Sequence, residues 1–301
     1  LREALLAQVP NPFFGLGPNE APMVSSGQLL LPYPQYQGLL QNRAYWGSTT
    51  YNGLVARLQQ RFQQGSNVQV AYTWSRLSGD VDSLYGFVEG STVGGSGGPQ
   101  DIYNRAAEDS ISAFDVTHRL QISYILALPF GKGQRFFSDV HGVADVLLSG
   151  WNLNGITTFQ TGFPLSFVAQ ATVLSSQFNA GTPRPNIAAG CSLSVSGSPQ
   201  SRINQWFNTA CFSEPDPYGF GNAPRVSEEV RADGIQNWDL SLVKKTAIKG
   251  TSLEFRAEVF NLFNHAQFAA PNTQLDSGLF GKVLEQYNLP RIVQFALRLN
   301  F

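Results

Sequence analysis

The residue types that most often bind metals or carry out catalysis are few and scattered in this sequence. Its three histidines, His118, His141 and His265, lie far from either cysteine and outside any His-Glu-x-x-His arrangement. A protein zinc site needs three or four such ligands at regular spacing. His118 and His265 begin or end predicted strands, where hydrogen bonding within a loop is the favoured interpretation.

Motifs for covalent catalysis and for phosphate binding are also missing. Ser75, Ser110 and Ser149 lack the Gly-x-Ser-x-Gly frame that exposes a nucleophilic serine. The glycine-rich stretch 90–98 lacks the Lys-Ser/Thr of a phosphate-binding loop and does not open a helix, so it is predicted to be a flexible loop.

The acidic side chains do not form a recognisable site either. Adjacent carboxylates such as Glu228 and Glu229 point apart on a strand and are commonly just solvated. Asp80, Asp82 and Asp276 could contribute to a calcium site in loops, but the EF-hand pattern is absent. We therefore expect no enzymatic activity and no cofactor.

The two cysteines, Cys191 and Cys211, lie in one stretch rich in Pro, Ser and Asn. In an oxidising compartment we expect them to pair across a loop. The alternative is two free thiols.

Composition limits the class of protein. Of 301 residues, 14% are charged and 12% aromatic, whereas about 25% charged is usual in soluble domains. Basic and acidic residues are nearly balanced, 20 against 21, which gives no reason to expect a nucleic-acid partner. No run of 18 apolar residues is present, so the sequence predicts no transmembrane helix.

The residues from Arg291 to Phe301 have the pattern of a membrane-crossing strand. Val293, Phe295 and Leu297 alternate with polar or small residues, and the stretch has the length that spans a bilayer as a tilted strand. A soluble β-sandwich would show the same alternation, so this strand alone decides little.

The same alternation recurs and predicts about seven long strands. Connections after the first, third and fifth strands are short or moderate, and those after the second, fourth and sixth are long, which is typical of outer-membrane barrels. Residues 1–45 are predicted to be an irregular loop region, with a helix within 1–9 and a strand near Gly27 to Leu31. Residues 46–301 are predicted to be the barrel portion. The expected strands lie at about 51–62, 67–76, 118–128, 151–165, 238–248, 251–263 and 291–301. Aromatic residues lie near the strand ends, where interfacial girdles occur: Tyr72, Trp74, Trp151, Trp238 and Phe301.

Several segments resemble Oar-like TonB-dependent outer-membrane receptors. The resemblance covers most of the chain from Pro10 to Phe301, in order, and is strongest in Phe-Arg-Ala-Glu-Val-Phe-Asn-Leu-Phe-Asn-His at 255–265. It is also carried by five further segments: 51–76, 114–119, 128–133, 150–165 and 237–242.

The resemblance implies an antiparallel all-β transmembrane barrel with long extracellular loops, located in the bacterial outer membrane. It implies a receptor and transporter for a large nutrient, such as an oligosaccharide or a metal chelate, with the lipid bilayer, the TonB complex and the barrel-assembly machinery as partners. The terminal Phe301 would belong to the sequence that the assembly machinery recognises. Such receptors have a plugged barrel of about 22 strands, so seven strands without a plug would be the C-terminal third.

Two other functions remain open at this stage. One is a surface adhesion or structural protein that the barrel anchors, and the other is a secreted, soluble β-rich binding module.

Ligand capture, if present, is expected in the long loops. Tyr85, Tyr103, Trp206 and Tyr218 could stack on a sugar or an aromatic group, although aromatic residues in loops more often hold the loop together. The charged residues of the polar strand faces either line a wet lumen or pair across neighbouring strands, and pairing is the preferred interpretation: Arg57, Arg61, Arg119, Glu254, Arg256, Glu258 and Arg298.

Overall fold

The computed structural model describes residues 2–16, 21–36, 47–81, 99–101, 103–169, 183–216, 219–248 and 250–301. Its strands, in chain order, are β1 (Gln8–Pro10), β2 (Met23–Ser25), β3 (Thr49–Arg61), β4 (Asn67–Gly79), β5 (Ser110–Ile111), β6 (His118–Ala127), β7 (Trp151–Gln160), β8 (Asn186–Ile187), β9 (Phe212–Ser213), β10 (Ile235–Ile248), β11 (Thr251–Phe260) and β12 (Ile292–Asn300). Helices in the described residues are short: α-helices Arg2–Leu6, Val143–Leu148 and Pro199–Arg202, and 3-10 helices Gln28–Leu30, Gln63–Gly65, Arg105–Glu108 and Thr209–Cys211.

One antiparallel sheet contains the seven long strands. Their spatial order is β12-β11-β10-β7-β6-β4-β3, and the short β5 pairs with the end of β4. Long strands that follow one another along the chain are therefore neighbours in the sheet, as in the wall of an up-and-down barrel. The fold class expected from the alternating pattern, all-β and antiparallel with about seven long strands, is confirmed.

The sheet is not closed. β3 and β12 are its two edges, and β3 is exposed along its whole length. In a bilayer each unpaired N–H or C=O group at such an edge costs several kcal/mol. Closure in the membrane therefore requires pairing partners for both edges.

Long and short connections lie at opposite ends of the strands. The short or moderate ones span 62–66, 128–150 and 249–250. The long ones span 80–117, 161–234 and 261–291. In outer-membrane barrels short turns face the periplasm and long loops face the outside, so we call these the turn end and the loop end.

The fourth and sixth predicted strands are shorter than expected. β7 ends at Gln160 because the chain then leaves the sheet: Gly162 approaches the Ala232 carbonyl so closely that a Cβ would lie 1.9 Å from its oxygen. Leu165, expected on the strand face, is instead buried among the loops. β11 ends at Phe260 because Asn261 adopts a left-handed backbone conformation with φ 52°.

The N-terminal segment also differs in detail from the expectation. The helix there ends at Leu6 and is followed by β1. This strand pairs antiparallel with β2, with Val9 directly opposite Val24. The prediction of a strand near Gly27 to Leu31 is wrong. Gln28–Leu30 forms a 3-10 helix, and a strand lies just before it at Met23–Ser25.

Candidate functional site

One face of the sheet is apolar across all seven long strands. Directly paired residues share a face, and the register brings Leu58 opposite Val70, Leu126 opposite Leu153 and Leu253 opposite Leu299. On β12 this face exposes large side chains that nothing in the described chain covers: Val293, Phe295, Leu297 and Leu299. Such a continuous exposed apolar surface is suited to lipid.

Aromatic side chains form a row on this face near the loop end. The Phe159 and Trp238 rings pack edge to face with centroids 5.0 Å apart, and Trp238 packs in the same way on Phe263 at 4.9 Å. Farther along the sheet, the Tyr72 hydroxyl lies 2.9 Å from the His118 Nδ1 atom. The row lies where an interfacial aromatic girdle is expected.

The opposite face of the sheet is polar and carries an ion cluster. Glu254 lies 2.7 Å from the Arg256 guanidinium and 3.4 Å from Lys245 on the neighbouring strand. Glu258 accepts a hydrogen bond from Gln294 of β12. Lys245 and Arg256 remain largely open to water, so this face is suited to a wet lumen.

The expected pairing of the charged residues on this face holds for only part of the set. Glu254 pairs with Arg256 and Lys245, and Glu258 lies 3.9 Å from the Arg256 guanidinium. Within the described residues, by contrast, no ion pair involves Arg57, Arg61, Arg119 or Arg298. These arginines are exposed on the polar face.

At the loop end, three long connections fold together into one structure. We call it the loop cap and define it as residues 99–101, 103–117, 161–169, 183–216, 219–234 and 261–291. Phe167 and Phe207 pack edge to face at 4.9 Å, and Phe207 contacts Phe280 of the third loop at 5.0 Å. Its buried core also includes Leu165, Leu193, Trp206, Cys211, Phe212 and Val230. The loops thus have a water-excluding core of their own.

A buried ion pair joins the first loop to the second. The Arg184 Nη1 atom donates to the Glu108 carboxylate at 3.0 Å, and both side chains are almost fully buried. Gln100 completes the network: its backbone N–H donates to the Glu108 carboxylate, and its side-chain oxygen accepts from the backbone N–H of Arg184 at 2.7 Å. Because the two charges face each other, neither is an isolated buried charge. The Arg184 Nε atom, in contrast, is buried without a hydrogen-bond partner among the described residues.

Two further arginines fasten the cap to the strand ends. The Arg231 guanidinium donates to the fully buried Asp115 carboxylate at 2.8 Å, and Asp115 also accepts from the Leu77 N–H of β4. Arg225 donates to the carbonyls of Glu108 and Gly79. Burial lowers the pKa of Arg225 to about 10, while Asp80 opposes the shift; the side chain therefore stays charged at neutral pH.

A disulfide bond and a surface turn bound by one carboxylate hold the second loop. Cys191 and Cys211 are joined, with 20 residues of sequence separation. Close by, one Glu229 oxygen accepts three hydrogen bonds, from the N–H groups of Leu193 and Ser194 at 2.7 and 3.0 Å and from the Ser192 hydroxyl. These hydrogen bonds satisfy the backbone of the irregular chain at this point. Elsewhere in the described part of the same loop, the Nε atoms of Arg184 and Arg202 are buried without a hydrogen-bond partner.

A cavity of about 570 Å³ lies at the base of the cap, between the second and third loops. It begins at the end of the polar face, where Gln160 pairs with Ile235. Its lining combines aromatic rings with amide and acidic side chains: Phe163, Phe268, Tyr287, Gln267, Asp233 and Glu285. Size and lining both match small-molecule sites.

The aromatic residues predicted to contact a ligand have different fates. Tyr103 is 82% exposed on the cap surface, whereas Trp206 is 2% exposed and donates through its indole N–H to the Arg231 carbonyl at 2.7 Å. Trp206 thus holds the loop together and presents no ring to a ligand. Tyr85 and Tyr218 lie outside the described residues.

The remaining predicted groups occupy structural positions. His265 lies in the turn after β11, where its N–H donates to the Asn261 side chain at 2.8 Å. Asp80, considered for calcium, pairs with Arg105, and Asp82 and the glycine-rich stretch lie outside the described residues. Among the residues that are described, no three His, Cys, Asp or Glu side chains are grouped so as to hold a metal ion.

Phe301 is fully exposed at the turn end, one residue beyond β12. This places it on the periplasmic side in the orientation given above. In the part of the chain that the structure describes, no helix is long and apolar enough to cross a membrane.

The sheet with one lipid-suited face and the asymmetric connections define a protein of the outer-membrane barrel class. A family model described as an outer membrane beta barrel domain matches residues 7–294, and the chain belongs to this family. Its location is the bacterial outer membrane. Searches of curated proteins and of solved structures found no match.

Proposed function

We propose that this barrel portion belongs to a TonB-dependent receptor that imports a large nutrient. The observation that carries the proposal is the 570 Å³ cavity between the folded cap and the polar face of the sheet. A surface anchor needs exposed loops, whereas an importer needs a binding site that leads into a polar lumen. The sequence resemblance to Oar-like receptors supports the same conclusion.

The lining favours an oligosaccharide over a metal chelate as the ligand. Aromatic rings such as Phe268 and Tyr287 can stack on the apolar faces of sugar rings, and Gln160 and Gln267 offer amide groups for hydroxyls. The acidic side chains of Asp233 and Glu285 would repel an anionic chelate at close range.

Dependence on TonB is tested with the full-length protein. The purified receptor in detergent is mixed with the C-terminal periplasmic domain of TonB, and binding is measured by light scattering or calorimetry. A receptor of this class binds that domain. A protein that remains free of it at high micromolar TonB would support the adhesion alternative and exclude the importer.

The ligand class is tested separately on the cavity. Maltoheptaose, cellohexaose and a xylan oligosaccharide are used as probes, with ferric citrate for comparison. For the saccharide that binds, Tyr287→Ala should weaken the affinity about 10-fold, the loss expected for one stacking ring. Tyr103→Ala is the matched control, because it removes an equally exposed tyrosine away from the cavity. Equal effects of the two changes, or binding of ferric citrate alone, would contradict the saccharide site.

A further inference from the structure

The moderate connection between β6 and β7, residues 128–150, exposes an unusual number of apolar side chains for a turn-end segment. Val143 is 75% exposed, and Phe137, Val146 and Leu147 are each more than half exposed. Phe130 and Phe136 are exposed as well. In water such a contiguous patch would be a cost without a function.

The apolar groups are gathered on two ordered elements. In the helix Val143–Leu148, the exposed Val143, Val146 and Leu147 occupy positions i, i+3 and i+4 and so share one face. Ahead of it, the Phe130 ring packs against Phe136 and Phe137 with centroids 5.8 and 6.5 Å apart.

The two elements are tied to each other. The Ser149 hydroxyl, at the end of the helix, accepts from the Lys132 N–H at 2.9 Å. We call residues 129–138, which hold the three phenylalanines, the phenylalanine turn. A Cβ on Gly131 would lie 2.2 Å from that same hydroxyl, so this turn packs directly against the helix end. The patch is therefore a defined surface.

The backbone of the phenylalanine turn is largely satisfied internally. The Gly131 N–H donates to the Phe136 carbonyl and the Phe136 N–H to the Pro129 carbonyl, each at 3.0 Å. The Gly133 N–H donates to Ser138 at 3.1 Å. A turn closed in this way can enter a poorly hydrated region without exposing unpaired amides.

The patch lies on the lipid side of the sheet. The Trp151 indole, on the apolar face of β7, donates to the Leu147 carbonyl at 2.9 Å. Lys244, paired with Trp151 on that face, donates to the Ser149 carbonyl and lies 5.2 Å from the Trp151 ring. The helix is thus bound to the edge of the lipid-suited face, and the two apolar surfaces are continuous.

Charged groups border the patch in the way of an interfacial segment. Lys132, Arg135 and Lys244 supply cations, and Arg135 stacks on the Phe136 ring at 5.6 Å. Asp139 and Asp145 are the acidic groups, and Asp145 is engaged by the Ser149 hydroxyl. Aromatic rings with adjacent cations are typical of the head-group region.

We propose that residues 130–147 form an interfacial anchor that lies in the phospholipid leaflet at the turn end of the barrel. The Phe130, Phe136 and Phe137 rings and the Val143/Val146/Leu147 face enter the acyl boundary, and the cations contact lipid phosphates. The occupant is lipid because the patch continues the lipid-suited face of the sheet. The anchor fixes the depth of the barrel in the membrane at this end.

The test uses the full-length protein with Val143→Cys or Leu147→Cys, labelled by an environment-sensitive nitrobenzoxadiazole probe without reductant, so that the Cys191–Cys211 bond stays closed. The protein is reconstituted in phosphatidylethanolamine/phosphatidylglycerol vesicles, with and without a lipid carrying a nitroxide quencher near the head group. Asp139→Cys on the same segment and Tyr103→Cys on the loop cap are the controls, and heat-dependent gel migration verifies assembly of each variant.

The anchor predicts blue-shifted emission at 143 and 147 and at least twofold stronger quenching there than at 103, with position 139 in between. Emission and quenching equal to those at position 103 would overturn the proposal, because the patch would then face water. Blue-shifted emission without lipid quenching would overturn it too, because protein would then cover the patch.

Discussion

The sheet and the loop cap place their apolar residues in opposite ways. On β12, Phe295 and Leu297 are 71% and 69% exposed, whereas in the cap Phe207 is completely buried. The sheet uses lipid in place of a core, since its apolar face meets hydrocarbon. The cap stands in water and must build its own core from loops. One chain thus arranges its apolar residues for two different surroundings, lipid around the sheet and water around the cap.

The two regions also treat charge differently. In the cap, Arg184 and Glu108 are removed from water together with their hydrogen-bond partners. On the polar face of the sheet, Lys245 and Arg256 surround Glu254 but remain largely hydrated. Charge therefore fixes the relative position of loops in the cap, whereas on the sheet it keeps a surface wet.

The largest effect is expected from breaking the buried pair of the cap. Arg184→Met leaves the Glu108 carboxylate buried without its cation, which should destabilise the cap by about 3–5 kcal/mol. Hydrogen exchange measured by mass spectrometry on the full-length protein should rise throughout residues 103–117 and 183–234. Exchange in β10–β12 should stay unchanged, since the sheet does not depend on this pair.

The control is the double change Arg184→Met with Glu108→Leu. Removing both charges eliminates the unpaired carboxylate, but the Gln100 N–H then loses its acceptor, so part of the lost protection should return. If the single and double variants exchanged alike, packing around Arg184 rather than charge would hold the cap.

A second test opens the disulfide. Replacing Cys191 and Cys211 by serine removes a cross-link between residues 20 positions apart. This should lower the stability of the cap by about 3 kcal/mol. Limited proteolysis should then cut within 183–216 much faster than in the parent protein. Reduction of the parent with dithiothreitol is the matched comparison and should give the same cleavage pattern. Resistance of both forms would mean that the Phe167/Phe207 core suffices alone.

A third test distinguishes the two faces of the sheet on neighbouring residues of β12. Leu297→Arg puts a cation on the lipid-suited face near mid-strand and should cost about 2–4 kcal/mol. Ala296→Arg puts the same cation on the polar face and should cost far less. The measurement is urea unfolding of the full-length protein in phospholipid vesicles. Equal costs would contradict the assignment of the faces.

Much of the sheet could be predicted from sequence because its rule is local. A period of two residues reveals both strands and faces, and Arg291 to Phe301 shows it without any knowledge of neighbours. Errors arose where the pattern continued past the strand. Phe163 and Leu165 keep the alternation, but Gly162 lets the chain turn toward Ala232, and that contact is remote in sequence.

Apart from the Cys191–Cys211 bond, the cap could not be predicted because its contacts are remote. Arg184 and Glu108 are 76 residues apart, and neither lies in a periodic segment. The sequence also predicts Trp206 as a possible ligand contact, because only the fold shows that its indole N–H donates to the Arg231 carbonyl. The cavity residues Phe268 and Tyr287 were missed too, because nothing local distinguishes a cavity lining from an ordinary loop.

The smallest effect is expected where the two regions meet at the surface. Arg76, at the loop end of β4, pairs with Glu228 of the cap, and both side chains are about half exposed. An exposed pair of this kind contributes about 0–1 kcal/mol and is screened by salt. Arg76→Ala should therefore change exchange in 219–234 only slightly, and 0.5 M NaCl should abolish even that difference. A loss of protection as large as that caused by Arg184→Met would mean that exposed contacts such as Arg76–Glu228 hold the cap to the sheet. The expected small loss leaves the attachment to the half-buried arginines, Arg225 and Arg231, which donate to backbone and carboxylate oxygens at the strand ends.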